Sequence, residues 1–171
     1  LGAVYALFGA TLWAARLLGL LIGVTSVLLT YLITKRLSNP RAAVIAASIH
    51  SVYPLALMFE AELLLDPLFA LFTQFLIWTL LRWSENPTVA RLFFVFLVGG
   101  SAALARPTAL VFLPVIAIVA LWKYRRSARV LGQYVTAVIA ALTLTVGVVF
   151  VRNMMVAGDP VLVASQGGIN F

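Results

Sequence analysis

Residues 130–151 read VLGQYVTAVIAALTLTVGVVFV and contain no charged side chain. A helix of this length would rise about 33 Å, enough to cross a hydrocarbon core of about 30 Å. The rest of the chain has the same character, since 64% of its residues are hydrophobic and 10% are charged. Soluble domains contain roughly 45–50% apolar and about 25% charged residues. We therefore predict an all-α, polytopic membrane protein.

Five further apolar segments precede this one. The predicted transmembrane helices, about six in all, lie at about residues 12–34, 42–59, 61–81, 92–105, 108–122 and 130–151. Residues 152–171 would then form an outer loop, and residues 1–171 would be part of a single transmembrane domain. The chain starts at Leu1 without a methionine or a charged leader, so we expect an internal piece of a longer protein.

Arg106 is the one charged residue between Leu92 and Trp122. As a single helix this segment would be about 46 Å long, too long for one crossing without extreme tilt. Pro107 disfavours helical geometry at the residue before it and predicts a break there. Each arm is then about 21–24 Å long, shorter than the core. We expect the Arg106 guanidinium to lie slightly below the outer surface, in a water-filled recess.

Basic residues are concentrated in alternate connections between the predicted helices. One set of connections carries nine of them: Lys35, Arg36, Arg41, Arg82, Arg91, Lys123, Arg125, Arg126 and Arg129. The other set carries two, Arg106 and Arg152. Cytoplasmic loops are rich in Lys and Arg, so the first set is predicted to be cytoplasmic. The net charge of +7 is thus explained by topology, and no nucleic-acid partner is expected.

Three acidic residues, Glu60, Glu62 and Asp66, lie in an apolar stretch that holds no Lys or Arg. A carboxylate at bilayer depth costs roughly 2.5–3.5 kcal/mol on insertion scales, so such residues usually face a functional cavity. On a helix Glu62 and Asp66 share a face, whereas Glu60 and Glu62 diverge by about 200°. Glu62 with Asp66 is therefore the better candidate pair. The alternative is that these acids are interfacial and solvated by water or headgroups.

The predicted outer face also carries groups that suit an anionic substrate. Arg106 and Arg152 can each bind a phosphate through two hydrogen bonds. After Arg152 and Asn153, the chain continues to Gln166-Gly167-Gly168-Ile169-Asn170, where glycine lets backbone amides approach a ligand. A helix end followed by a flexible loop explains the same residues equally well.

Other polar and small residues are predicted to serve packing. His50 is interpreted as a packed or hydrogen-bonded helix residue rather than a catalyst or ligand. Gly19 with Gly23, and the run Gly99-Gly100-Ser101-Ala102-Ala103, match the small-residue pattern of close helix contacts. Arg16 either extends to headgroups or adds to a phosphate site. The chain has no cysteine, which excludes a disulfide scaffold and a thiolate metal site.

Four motifs in order resemble a known family. They are Ala15-Arg16-Leu17; Tyr53-Pro54 followed by Phe59-Glu60-Ala61-Glu62-Leu63-Leu64; Ala103-Leu104-Ala105-Arg106-Pro107-Thr108-Ala109-Leu110; and Arg152-Asn153 leading to Ser165-Gln166-Gly167-Gly168-Ile169-Asn170-Phe171. Together they resemble the middle of a bacterial glycosyltransferase of the protein-mannosyltransferase and aminoarabinose-transferase type, which has a GT-C fold. The resemblance covers nearly the whole chain.

The resemblance implies a sugar transfer, with inversion, from a polyprenyl-phosphate donor on the outer side of the membrane. The family's presumed catalytic base lies in its first outer loop, so we expect that loop, the preceding N-terminal helix and the C-terminal region to be absent here, and the fragment to be inactive alone. Glu62 and Asp66 are both candidates for the acid of the second outer loop, with Glu60 in support. Arg106, Arg152, Asn153, Gln166, Gly167, Gly168, Asn170 and Tyr53 are the implied substrate-binding residues.

The resulting hypothesis is a membrane glycosyltransferase of the inner (plasma) membrane with its active face periplasmic or extracellular. Its partners would be a polyprenyl-phosphate sugar donor, a lipid or protein acceptor and membrane lipids. No metal site is predicted; the carboxylates leave a divalent cation open as a cofactor. The alternatives are a transporter or flippase for a lipid-linked substrate and a non-catalytic membrane subunit. A transporter would distribute its charges through the depth of the membrane and show an inverted repeat.

Overall fold

The structure is a computed structural model that describes residues 11–61, 65–124, 127–157 and 161–163. These residues form helices joined by short turns. The α-helices are α1 (Leu12–Leu37), α2 (Pro40–Ser51), α3 (Pro54–Ala61), α4 (Leu65–Glu85), α5 (Val89–Ala105), α6 (Phe112–Tyr124), α7 (Ala128–Leu142) and α8 (Val148–Ala157). A 3₁₀ helix covers Pro107–Val111, and a π-helical turn covers Thr143–Gly147.

The chain divides into two compact units, Leu1–Trp78 and Thr79–Phe171. In the first unit, α1 packs against α2 and α3. Small residues are buried in this unit: Ala15 is fully buried, Gly19 and Gly23 are buried on the same face of α1, and Ala43 is buried on α2. Small side chains let two helix backbones approach each other in lipid. The burial of Gly19 and Gly23 agrees with the packing role predicted for them.

The apolar segment at 42–59 was predicted as a single helix, and the structure corrects this. The chain forms α2, which ends at Ser51, and a separate short helix α3, which begins at Pro54. Pro54 lacks an N–H and pushes the preceding Tyr53 away from helical geometry, so the helix stops before it. At the other end of α2, the Asn39 side chain accepts a 2.9 Å hydrogen bond from the Ala42 N–H, and Pro40 occupies the first turn.

The second unit contains a break at Arg106. Helix α5 ends at Ala105, and Arg106 has extended backbone angles of −142° and 117° before the 3₁₀ helix begins at Pro107. This is the geometry that proline imposes on the residue before it. Helix α5 has 17 residues and rises about 26 Å, less than a ~30 Å hydrocarbon core.

Small residues also mediate the main helix contact of the second unit. Helix α5 packs against α7 and the π-helical turn that follows it. The buried residues of the α5 run are Gly99, Gly100, Ala102 and Ala103, and they confirm the packing role predicted for it. In the π-helical turn, Thr145 is buried and its hydroxyl donates to the Ala141 carbonyl at 2.9 Å.

Large apolar side chains cover the outside of these helices. Leu20 on α1 is 60% exposed and Ile139 on α7 is 59% exposed. Three helices of the described chain are long and apolar enough to cross a membrane: Trp13–Leu37, Leu65–Glu85 and Ala128–Val156. Shorter apolar helices lie at Val89–Ala105 and Pro107–Trp122. The prediction of an all-α membrane protein is confirmed.

Candidate functional site

A cavity in the first unit brings polar side chains from separate helices together. It has a volume of about 150 Å³ and is called the Asp66 cavity here. Its lining residues are Ser26 from α1, His50 from α2, Ala56 and Phe59 from α3, and Asp66, Pro67, Ala70 and Gln74 from α4. Among the described residues, the site therefore combines the Asp66 carboxylate with uncharged polar groups from other helices of this unit.

Helix α4 provides the acidic wall of the Asp66 cavity. Asp66 lies in the first turn, where the positive end of the helix dipole stabilises its negative charge. Asp66, Ala70 and Gln74 are spaced by four residues and so share one helix face. The small Ala70 between the two polar side chains leaves room for a ligand along this face.

The hydrogen bonds around Thr30 favour one tautomer of His50. Its Nδ1 lies 2.7 Å from Thr30 Oγ1, and the Thr30 hydroxyl donates to the Ser26 carbonyl at 3.0 Å. A threonine hydroxyl has one hydrogen, so both bonds form together when Nδ1–H donates and Thr30 Oγ1 accepts. In the neutral ring Nε2 then carries a lone pair. Thr30 thus makes Nε2 the hydrogen-bond acceptor of this histidine.

Gln74 contributes a second acceptor. Its Oε1 is buried and has no hydrogen-bond partner within the part of the chain that the structure describes. Leaving a buried acceptor unpaired costs about 1–3 kcal/mol. Such a group in a functional cavity is expected to be paired by a ligand or by water.

A second cavity adjoins His50. It has a volume of about 250 Å³ and shares His50 and Ala56 with the Asp66 cavity. Its other walls are mostly apolar: Leu20, Gly23, Val24, Val27, Ser51 and Leu57. His50 therefore lines both cavities.

The other acidic and aromatic residues predicted for this wall have different placements. Glu60 belongs to α3, but its side chain lies outside the described structure, and Glu62 lies outside the described residues altogether. Tyr53 lies at the break between α2 and α3 and is 48% exposed. The pairing of Glu62 with Asp66 stays a prediction.

The predicted phosphate-binding residues belong to the second unit. Arg106 lies at the break after α5 and is exposed, and Arg152 is exposed on α8. Asn153 donates from Nδ2 to the Val161 carbonyl at 3.1 Å, which ties the end of α8 to the chain beyond it. Gln166, Gly167, Gly168 and Asn170 lie outside the described residues. That these residues and Asp66 surround one substrate stays a prediction.

Sequence reasoning missed three polar residues of the Asp66 cavity: Ser26, His50 and Gln74. A signal existed for Gln74, because it follows Asp66 by eight residues on one helix face. Ser26 and Thr30 are likewise four residues apart on α1. The interpretation of His50 as a hydrogen-bonded helix residue is confirmed by its bond to Thr30, but its place in the cavity was not foreseen.

The fold defines the class of this protein as a helical membrane protein with a cavity that several polar side chains help to line. A sequence model of the dolichyl-phosphate-mannose-protein mannosyltransferase family matches residues 1–150. The chain belongs to this family, as its motifs predicted, and the membership supports a membrane glycosyltransferase in general. The comparisons with curated proteins and with solved structures gave no match.

Proposed function

We propose that this protein transfers a sugar, with inversion, from a polyprenyl-phosphate donor to a lipid or protein acceptor. The reaction takes place on the periplasmic or outer face of the inner membrane. The observation that carries the proposal is a carboxylate, Asp66, that lines a cavity among apolar helices of a mannosyltransferase-family chain. A carboxylate in such surroundings is costly, which favours a functional role.

The charges suit the electron flow of this reaction. Breaking the bond between sugar C1 and the phosphate oxygen leaves the electron pair on the phosphate, while positive charge develops on the sugar ring. Arg106 and Arg152 would stabilise the departing phosphate through bidentate hydrogen bonds. The Asp66 carboxylate would bind sugar hydroxyls and stabilise the positive ring.

The remaining predicted residues have supporting roles in this proposal. Glu60 and Glu62 would complete the acidic wall, and Tyr53 and Asn153 would contact the substrate. The loop that contains Gln166, Gly167, Gly168 and Asn170 would close over it.

The direct test is radiolabelled sugar transfer by the full-length protein in proteoliposomes. Polyprenyl-phosphate sugars serve as donors, and the expected result is label in the acceptor together with release of bare polyprenyl phosphate. If the donor crosses the bilayer and no sugar is transferred, the protein is a transporter and the proposal fails.

Replacing Arg106 or Arg152 with Ala is expected to weaken donor binding in the full-length protein by about 10- to 100-fold each. A hydrogen bond to a charged group contributes about 1.5–3 kcal/mol, and a tenfold change corresponds to 1.4 kcal/mol. The measurement is equilibrium binding of bare polyprenyl phosphate, because the two arginines are assigned to the phosphate alone.

Arg129→Ala is the matched control for the arginine prediction. Arg129 is also exposed in the second unit, but it belongs to the set of basic residues predicted to be cytoplasmic. Its replacement should leave donor affinity unchanged. Equal affinities for all three variants and the parent protein would contradict the phosphate assignment.

The proposed orientation can be tested with single cysteines, because the chain contains none of its own. Thr108 follows Arg106 and Ser84 lies near the end of α4; both are exposed. Thr108→Cys should react with a membrane-impermeant maleimide added outside the inner membrane. Ser84→Cys should react only after permeabilisation. The reverse pattern would place the proposed active face in the cytoplasm and overturn the orientation.

A further inference from the structure

We propose that the Asp66 cavity binds the sugar of the donor and that His50 and Gln74 select it by accepting hydrogen bonds from its hydroxyl groups. This inference rests on the proposed function, because the sugar is the one carried by the polyprenyl-phosphate donor. His50 and Gln74 thereby gain a role in binding the sugar, which the pattern of charged residues did not indicate.

The first step concerns His50 Nε2. Because Nδ1–H is bonded to Thr30, Nε2 is the ring's remaining hydrogen-bonding atom, and it is an acceptor. Nε2 makes no hydrogen bond among the described residues. A sugar hydroxyl can donate to it directly. Thr30 acts as a positioning residue, since it holds the tautomer that presents this lone pair.

The second step concerns Gln74 Oε1. This buried atom is an acceptor without a partner among the described residues, and it belongs to the helix face that carries Asp66. The rise from residue 66 to residue 74 along a helix is about 12 Å. Asp66 and Gln74 both line the cavity. Its free space of about 150 Å³ exceeds the 10–15 Å³ that one water needs. A ligand group of several heavy atoms is the better match.

The third step concerns the chemistry of that ligand. No Lys or Arg is among the described residues that line the cavity, and Asp66 is the charged residue among them. These residues offer a phosphate no cationic partner. A ligand with several O–H donors satisfies them, because Asp66, His50 and Gln74 accept and the Ser26 hydroxyl can do either. A neutral, polyhydroxylated sugar has this character.

The experiment compares two ligands bound to the full-length protein in nanodiscs: polyprenyl-phosphate mannose and bare polyprenyl phosphate. His50→Asn places its amide near the Nδ1 position, can still bond to Thr30, and lacks a group at Nε2. It should weaken binding of the mannose-carrying ligand by about threefold to tenfold and leave the bare lipid unaffected. His50→Gln places an amide oxygen near the Nε2 position and should restore most of the loss.

The variant Gln74→Leu is an independent test that distinguishes a sugar-binding role of Gln74 from a packing role. Removing a buried, unpaired acceptor is expected to leave the fold as stable or make it more stable. If Gln74 only packs, both affinities stay unchanged. If it binds the sugar, affinity for polyprenyl-phosphate mannose falls by about threefold to tenfold while the thermal unfolding midpoint holds or rises.

The outcomes separate this inference from the proposed function. The sugar pocket is supported if His50→Asn and Gln74→Leu weaken binding of polyprenyl-phosphate mannose but not of the bare lipid, and if His50→Gln restores that binding. The sugar pocket is overturned if Gln74→Leu leaves the ratio of the two affinities unchanged. It is also overturned if His50→Asn weakens binding of both ligands equally. In either case, sugar transfer by the parent protein keeps the proposed function intact. Absence of both binding and transfer in the parent protein overturns the proposed function itself.

Discussion

Replacing Asp66 with Asn in the full-length protein is expected to lower kcat/KM for sugar transfer by about 10- to 100-fold. Asn keeps the size and most of the shape of the side chain but removes the negative charge. A charge-assisted hydrogen bond contributes about 1.5–3 kcal/mol, and the lost charge also ceases to stabilise the positive sugar ring in the transition state. The measurement is initial transfer rate against donor concentration, with radiolabelled sugar.

The loss should appear in kcat as well as in KM. A contact that acted equally on the bound substrate and on the transition state would change KM alone. The charge of Asp66 acts more strongly as positive charge develops on the sugar, so part of its contribution belongs to the transition state.

Glu85→Gln is the matched control for Asp66→Asn. Glu85 is the last residue of the same helix and is exposed, so the variant removes a carboxylate charge at the opposite end of α4. Its transfer rate should equal that of the parent protein. An Asp66→Asn enzyme with parental kcat/KM would show that this carboxylate is a solvated interfacial acid, which was the alternative interpretation of the sequence.

The helical membrane architecture could be predicted because it depends on composition. Lipid leaves a spanning backbone few alternatives to the helix, so long apolar segments identify it without knowledge of tertiary contacts. The break at Arg106 followed from one local rule about proline. The same rule applies at Tyr53 before Pro54, where the prediction instead continued a single helix through residues 42–59 and was wrong.

Proline alone does not determine where a helix ends. This explains why the break at Arg106 was predicted correctly and the break before Pro54 was not. Pro67 and Pro114 lie within the first turns of α4 and α6, where a missing N–H costs little. Pro54 likewise starts α3. A proline thus indicates either a break or a helix start, and the apolar pattern on both sides of residue 54 concealed that α2 had already ended.

The candidate site was only partly accessible to sequence reasoning. Asp66 was identified because a charge among apolar residues is costly wherever the helices pack. His50 required tertiary information: its partner Thr30 is 20 residues away on another helix, and only that contact determines which ring nitrogen accepts. Gln74 carries no charge, so its unpaired oxygen could be recognised only from the burial of that atom in the structure.

Replacing Gly100 with Ala is expected to destabilise the second unit by about 1–3 kcal/mol, the usual cost of overpacking a well-packed helix contact. A Cβ at residue 100 would overlap Thr145 Oγ1 and come within 2.9 Å of Thr145 Cβ. Thr145 cannot move aside cheaply, because its Cβ is attached to the π-helical turn and its hydroxyl is bonded to Ala141. The measurement is the thermal unfolding midpoint of the purified full-length protein.

Gly132→Ala makes the same chemical change where it meets no obstacle. A Cβ at residue 132 has no atom within 4 Å, and alanine favours a helix over glycine by up to about 1 kcal/mol. This variant should be as stable as the parent protein or slightly more stable. Adding Thr145→Ala to Gly100→Ala removes the overlap with Oγ1 but not the short Cβ contact, so it should recover part of the loss. Equal midpoints for Gly100→Ala and Gly132→Ala would mean that α5 and the π-helical turn are not in the close contact described.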